Sequence, residues 1–183
     1  DDFVLEDCAV DAIRKINQSG RLGIVITNQP VVARGLCGIE DVENIHKKME
    51  TLLGKEGVFL DDVFFCPHHP DRGFPGEVEE LKCDCGCRKP KTGMVDAACE
   101  RFTIDRARSY FVGDADSDVQ TGINAGLKTV LVSCDGQSPS RLESERSGGG
   151  RGHHFIPVKT RFSGFRFYTI QGSFYDQYLL LCG

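Results

Sequence analysis

Two short pairs of metal-binding side chains stand out. Cys66-Pro67-His68 and Cys85-Gly86-Cys87 supply three thiols and an imidazole, a set suited to tetrahedral Zn²⁺. Each pair can place both donors on one side of a turn, and the loop between them can close around the ion. Four protein ligands leave no open coordination position, so the expected role is structural: the metal pins a loop too polar to bury a core of its own. Cys83 extends the run to Cys-x-Cys-x-Cys and leaves the ligand register open between it, Cys85 and Cys87. The bland alternative is a set of unrelated thiols on a surface loop.

Three further groups could do chemistry. Tyr110-Phe-Val-Gly-Asp114 reads as a strand running into an acidic turn with Asp114, Asp116 and Asp118. Carboxylates at the carboxyl end of a strand suit a hard cation such as Mg²⁺, although Asp116 or Ser117 could equally cap the helix that follows. Thr27-Asn28-Gln29 also ends a strand, where a hydroxyl and amides can bond an oxyanion or simply form a turn. Arg88-Lys89-Pro90-Lys91 follows the last cysteine of the cluster directly, so a bound metal would fix cations that are otherwise ordinary solvated charge.

These groups need elements to carry them. Ala9, Val10, Ala12, Ile13 and Ile16 mark one face of a helix stopping at Gly20, and Leu22–Thr27 is a short apolar run of the buried parallel-strand kind. Val42, Ile45, Met49 and Leu52 give a second amphipathic helix, followed by a strand at Val63–Phe65. After the polar, Gly/Pro/Cys-rich stretch 66–90 come a helix through Met94, Val95, Ala98 and Phe102, then the strand Tyr110–Val112. A helix over Ser117–Ala125 and a strand over Thr129–Val132 close the series. Strands separated by helices make βαβ units, hence an α/β fold with a parallel sheet covered on both faces.

Composition bounds the rest. The chain has 183 residues, 40% hydrophobic and 27% charged, with a formal net charge of −5. That is ordinary globular composition, and it argues against a nucleic-acid partner held by bulk electrostatics. No apolar run approaches the roughly 18–20 residues of a membrane span. The acidic start, Asp1-Asp2, is unlike a signal peptide. Nine cysteines, an odd number with one tight cluster containing His, point to a metal site in the reducing cytosol rather than to a disulfide framework. Residues 1–133 form the expected domain and Ser/Gly/Arg-rich 134–152 a linker. The tail, 153–183, holds 8 of the 16 aromatics, one acid (Asp176) and no sustained period, so no element is assigned to it.

Taken in order, Ile26-Thr-Asn-Gln29, Ala33-Arg-Gly35, Cys66-Pro-His-His-Pro70, Cys85-Gly-Cys-Arg-Lys-Pro90 with Gly93-Met94, and Val112-Gly-Asp114 resemble the D-glycero-D-manno-heptose-1,7-bisphosphate phosphatases. These belong to the haloacid-dehalogenase (HAD) superfamily, with histidinol-phosphate phosphatases as close relatives. The resemblance covers residues 2–132 and implies a Rossmannoid three-layer α/β/α fold with an inserted zinc loop. It implies a small phosphorylated sugar as substrate and Mg²⁺ and Zn²⁺ as cofactors, with Cys66, His68, Cys85 and Cys87 on zinc. Asp114 would hold Mg²⁺, Thr27 would hydrogen-bond the transferring phosphoryl group, Lys89 would neutralise its charge, and Asn28, Gln29 and Arg88 would contact substrate. Such an arrangement suits phosphoryl transfer, in which positioning and charge neutralisation do most of the work.

One departure is large. The family opens on an apolar strand ending in Asp-x-Asp-Gly-Thr, whose first aspartate attacks phosphorus and whose second serves as acid and base; nothing in this sequence matches it. Pro30-Val31 also replace the usual Ser-Gly after Thr-Asn-Gln, and Ala115 stands where relatives often carry a basic residue. The chain therefore reads as an N-terminally incomplete phosphatase that is inactive as given, with its central strand position empty and two sheet edges unpaired. The competing readings are a catalytically dead, zinc-stabilised relative that binds phosphorylated ligands or a partner, a histidinol-phosphate phosphatase and, more weakly, a polynucleotide 3′-phosphatase. Oligomeric state is left open.

Overall fold

A computed structural model describes residues 3–5, 7–131, 155–156 and 176–182. Its elements run α1 (Asp7–Gln18), β1 (Leu22–Asn28), α2 (Pro30–Ala33), α3 (Ile39–Lys55), β2 (Asp62–Cys66), α4 (Gly93–Phe102), β3 (Tyr110–Gly113), α5 (Asp116–Asn124), β4 (Lys128–Leu131), β5 (Phe155–Ile156) and β6 (Asp176–Cys182), with single 3₁₀ turns at Glu79–Leu81 and Arg106–Arg108. The expected linker, 134–152, and His153-His154, two histidines of the tail that the sequence offers only weakly as metal ligands, lie outside the described residues.

The period-2 geometry of β1 sends alternate side chains to opposite faces, and the core divides accordingly. Val25 joins Val10 and Ile13 of α1 and Met49 and Leu53 of α3 on one face. Ile24 and Ile26 join Met94, Val95 and Ala98 of α4, with Phe111 of β3, on the other. These positions are almost wholly buried, which gives the three-layer α/β/α arrangement its two apolar seams. Against β3 and β4, α5 can approach closely because Gly122 has no Cβ: one there would lie 2.5 Å from Thr129 Oγ1 and 3.0 Å from Phe111 Cβ.

The sheet has six strands in the order β2-β1-β6-β3-β4-β5. The pairs β1/β2 and β3/β4 are parallel, as βαβ connections require, and β4/β5 is parallel as well. Between the two parallel halves runs β6, antiparallel to both β1 and β3. The expectation of an empty central position with two unpaired edges is therefore corrected: the chain's own tail fills it. Leu179 is level with Val25 on one side and Val112 on the other, so both ladders are satisfied by one seven-residue strand. The fold remains α/β, but its sheet is mixed. The register also sets Asp176 opposite Asn28, at the carboxyl end of β1 where the candidate site begins.

Two predictions follow from these contacts. Proline at position 179 removes a ladder N–H in the middle of the sheet, where proline is tolerated only at edges and bulges. Leu179→Pro should lower the melting temperature by on the order of 5 °C or more and promote aggregation of the two exposed edges; an unchanged melting curve would contradict the central placement of β6. The second concerns His46 of α3, buried edge-on against Phe65 with ring centroids 5.4 Å apart and Nε2 unpartnered. Burial lowers its pKa from 6.5 to about 4. A lowered pKa means that the native state favours the neutral ring, so its contribution is complete above pH 6.5 and is lost as pH falls toward 4, by roughly 3 kcal/mol at most. Urea unfolding of the wild type and His46→Gln at pH 7 and pH 4.5 should show the smaller acid loss in the variant.

Candidate active site

β2 ends on Cys66, wholly buried, and the loop beyond it returns through 85–87. Donor atoms of Cys66, His68, Cys85 and Cys87 all lie within 4.8 Å of one another, and among the described residues they are the one such group of three or more. Sulfur–sulfur separations are 3.5 Å for Cys66–Cys85, 3.1 Å for Cys66–Cys87 and 3.2 Å for Cys85–Cys87, and His68 Nδ1 is 3.6 and 3.4 Å from the sulfurs of Cys66 and Cys87. The edge of a tetrahedron with Zn–S bonds of about 2.3 Å is near 3.8 Å, so little movement admits the ion. Burial, then hydrogen bonding to Cys87, pushes the Cys66 thiol up; burial raises Cys87 as well. Cys85 is also penalised by burial, but hydrogen bonds from Cys87, Cys66 and backbone N–H groups outweigh that and lower it. Three sulfurs packed this closely can all ionise only beside a cation, and the donor set fits Zn²⁺. Cys83 is exposed and stands outside the group, and His69 turns instead toward Arg34.

Beside this cluster the sequence-predicted phosphate residues converge. The Lys89 N–H donates to Asn28 Oδ1 at 3.0 Å, and Asn28 Nδ2 donates back to the Lys89 carbonyl at 3.4 Å, which locks the post-cysteine run onto the end of β1. Lys89 Nζ donates to the Ile26 carbonyl at 3.3 Å and lies 3.0 Å from Asp118 Oδ1. Far from being solvated, Lys89 is 4% exposed. Gln29 Nε2 donates to Thr27 Oγ1 at 3.1 Å, the Gln29 N–H donates to the Cys66 carbonyl at 2.7 Å, and Arg88 Nη1 donates to the His68 carbonyl at 3.1 Å. Thr27, Asn28 and Gln29 at the end of β1, Cys66 and His68 at the end of β2, and Arg88 and Lys89 after Cys87 thus meet at one end of the sheet.

The sequence groups Asp118 with Asp114 and Asp116 as a candidate cation ligand, whereas the structure pairs it with Lys89. Neither Asp116 nor Ser117 caps α5. Ala115 is the N-cap, and Asp118, three positions on, accepts its N–H at 2.9 Å while holding Lys89 with the other oxygen. Burial raises the Asp118 pKa and the Lys89 charge opposes that rise. A Cβ at Gly113 would fall 2.4 Å from that of Asp118, so β3 has to end in glycine for the carboxylate to pack beneath it. The signal was available: Asp118 lies one helical turn beyond Asp114, on the side of α5 that faces the sheet.

Magnesium fits less completely. Asp114 is exposed at the end of β3 and offers one carboxylate; Asp116 is exposed on the first turn of α5, and Asp118 is committed to Lys89. Among the described residues no carboxylate group gathers around Asp114 as the thiols gather around Cys66.

Comparison with known proteins places this geometry. A family profile described as HAD-hydrolase-like matches residues 86–157. The D-glycero-β-D-manno-heptose-1,7-bisphosphate 7-phosphatase of Yersinia pestis is 37% identical over 145 residues, 79% of this chain and 74% of that one. The enzyme of the same name from Escherichia coli K12 is 36% identical over 147 residues, 80% of this chain and 74% of that one. Among solved structures, the D,D-heptose 1,7-bisphosphate phosphatase of B. bronchiseptica, complexed with magnesium and phosphate, is 33% identical with a TM-score of 0.60, covering 70% of this chain and 65% of that one. A HAD-like phosphatase structure from Mesorhizobium loti is 36% identical with a TM-score of 0.64, covering 73% and 62%. The fold is that of a HAD-like hydrolase. More narrowly, the chain belongs to the heptose-1,7-bisphosphate phosphatase family, and it spans about three quarters of the length of those curated relatives and just under two thirds of the solved structures.

The donor set predicts one Zn²⁺ per chain. Metal analysis of purified protein should give a zinc ratio near unity, falling well below it in Cys85→Ser and Cys87→Ser. Full zinc retention by both variants would rule out these ligands.

Proposed function

We propose that this site binds the phosphoryl group of a sugar phosphate of the heptose 1,7-bisphosphate kind, on a scaffold pinned by structural zinc. The observation that carries this reading is the two-way hydrogen bonding between Asn28 and Lys89, which seats a buried cation beside Thr27 at the end of β1. Thr27 would hydrogen-bond the phosphoryl oxygens and Lys89 would offset their charge. Asn28, Gln29 and Arg88 would contact and orient the substrate. Zinc, held by Cys66, His68, Cys85 and Cys87, would fix the loop that delivers Arg88 and Lys89. Magnesium, when bound, supplies charge neutralisation at phosphorus; Asp114 is its one candidate ligand among the described residues, and a single carboxylate holds Mg²⁺ weakly. The names of the relatives support a heptose bisphosphate over histidinol phosphate.

Hydrolysis needs more than binding. Phosphoryl transfer in this superfamily runs through a carboxylate nucleophile, which splits a difficult displacement into two steps. The 183 residues contain no Asp-x-Asp-Gly-Thr, and the strand between β1 and β3, where the resemblance would place that motif, is β6. The polypeptide as given is therefore a binder that does not turn substrate over. The central placement of β6 also favours the second reading, a pseudoenzyme that recognises phosphorylated ligands.

With heptose 1,7-bisphosphate and Mg²⁺, the 183-residue protein should release phosphate no faster than background, yet bind the ligand in calorimetry. Lys89→Met should weaken that binding roughly tenfold or more, the scale of one charge-assisted contact. Mg²⁺-dependent release that co-purifies with the protein would overturn the inactive reading. Affinity unchanged in Lys89→Met would overturn the phosphate site.

A further inference from the structure

The tail brings one more charge to this end of the sheet. Residues 153–183 contain a single acid, Asp176, and it opens β6. In the ladder with β1, Asp176 stands level with Asn28 and Gln177 with Thr27. Opposed residues of an antiparallel pair lie about 4.5–5.5 Å apart at Cα and share one face of the sheet. Asp176 is therefore on the face of Ile24, Ile26 and Asn28, where Asn28 holds the backbone of Lys89. On its other side β6 runs beside β3, with Leu179 level with Val112, two residues before Asp114. The one acid of the tail thus stands between the ends of β1 and β3, a single strand spacing from the residues assigned to phosphate.

Charge balance decides what a carboxylate does at that position. Lys89 is buried, and its ammonium already answers Asp118 at 3.0 Å. Arg88 directs one N–H to the His68 carbonyl, and Asp114 adds a further negative group at the end of β3. An ionised carboxylate only accepts hydrogen bonds, as phosphoryl oxygens do, so the two draw on the same donors. One buried ammonium cannot answer two carboxylates and a phosphoryl group together, because like charges a few ångströms apart repel strongly where water is excluded. Carboxylate and phosphoryl group therefore compete. The carboxylate has the advantage of attachment: the ladder running on from Gln177 to Cys182 holds Asp176 in register, so it acts as an intramolecular ligand at high effective concentration.

We propose that Asp176 is an autoinhibitory anion: the tail strand sets a carboxylate where a phosphoryl group would meet Thr27 and Lys89, and phosphate binds by displacing it. The proposal rests on the phosphate-site reading above. Displacement asks little of the fold, because Asp176 is the first residue of β6 and only the Asn28–Asp176 pair has to open. The pairs from Gln177 onward, which join the two halves of the sheet, stay closed. The tail thus has two parts to play, closing the sheet with its apolar run and lowering the affinity of the site with its one acid.

The test is a calorimetric titration of inorganic phosphate into the zinc-loaded 183-residue protein in magnesium-free buffer. Asp176→Asn removes the charge and keeps the shape, and it should bind phosphate at least roughly tenfold more tightly than the wild type. Asp176→Ala should show the same gain, whereas Asp176→Glu, which restores a carboxylate, should stay close to the wild type. Glu40→Gln removes an exposed acid from the first turn of α3 and should leave the affinity unchanged, which separates the local charge from the net charge. Zinc content and melting temperature equal to the wild type show that a variant is folded; if Asp176→Asn is not, Asp176→Ala decides. Phosphate binding by the wild type that is equal or weaker in Asp176→Asn and Asp176→Ala overturns the inhibitory contact and leaves the phosphate site standing. So does a gain in Glu40→Gln as large as that in Asp176→Asn. Absence of phosphate binding in the wild type and in both charge-removing variants overturns the phosphate-site reading itself, and the contact with it.

Discussion

An ammonium and a carboxylate, both almost completely removed from water, hold the two halves of this domain together. Lys89 comes from the loop after the cysteine cluster and Asp118 from the first turn of α5; they meet at 3.0 Å behind the end of β1. Neither charge could be left there alone, because an unpaired buried ion costs several kcal/mol. The pair therefore constrains everything it touches. It requires glycine at 113, a side-chain acceptor at the third position of α5, and an Asn28 side chain that reaches across to the Lys89 backbone. Such a pair adds little net stability over a well-packed apolar substitute. What it provides is a fixed positive charge at the carboxyl end of a strand, which is where a phosphoryl group is met in this type of fold.

The thiol cluster does complementary work. Residues 67–90 have little core of their own: one 3₁₀ turn and a few buried side chains. Four donors gathered beneath the loop give it a fixed point, and Arg88 and Lys89 follow Cys87 without an intervening residue. Further along, Glu77 accepts the N–H groups of Gly73 and Phe74 and pairs with Lys82, and Phe74 lies between Lys82 and Arg34. The loop is thus tied by ion pairing and by the gathered thiol and imidazole donors rather than by hydrophobic burial. That kind of anchoring is specific about position and tolerant of polar composition.

Much of this was legible in the chain. The alternation of Ile24 and Ile26 against Val25 announces a strand covered on both faces, and the helix faces of α1, α3 and α4 read directly from their periods. The two cysteine-containing pairs name a tetrahedral site before any fold is known, since ligand chemistry depends on residue type and short spacing. Asp118 was harder because it shares a run with Asp114 and Asp116, and only the helical turn separates their fates. His69 lies against Arg34, 35 positions earlier, a tertiary relation no local pattern encodes. The placement of β6 was hidden for a similar reason. Leu179-Leu-Leu181 is a continuous apolar run without alternation, which is what a central strand shows, but three residues are too few to separate strand from helix. Its partners, moreover, are about 70 and 150 residues away.

The dependence of the site on its buried pair can be measured by a double-mutant cycle in urea, with Asp118→Asn, Lys89→Met and the combination. Asp118→Asn alone should destabilise the protein by about 3–5 kcal/mol, because it removes the negative charge that answers the buried Lys89 ammonium. Made in the Lys89→Met background, the same change should cost less than about 1 kcal/mol, as the charge it answered is gone. Additive effects, with Asp118→Asn equally costly in both backgrounds, would contradict the view that this pair is what holds the site in place.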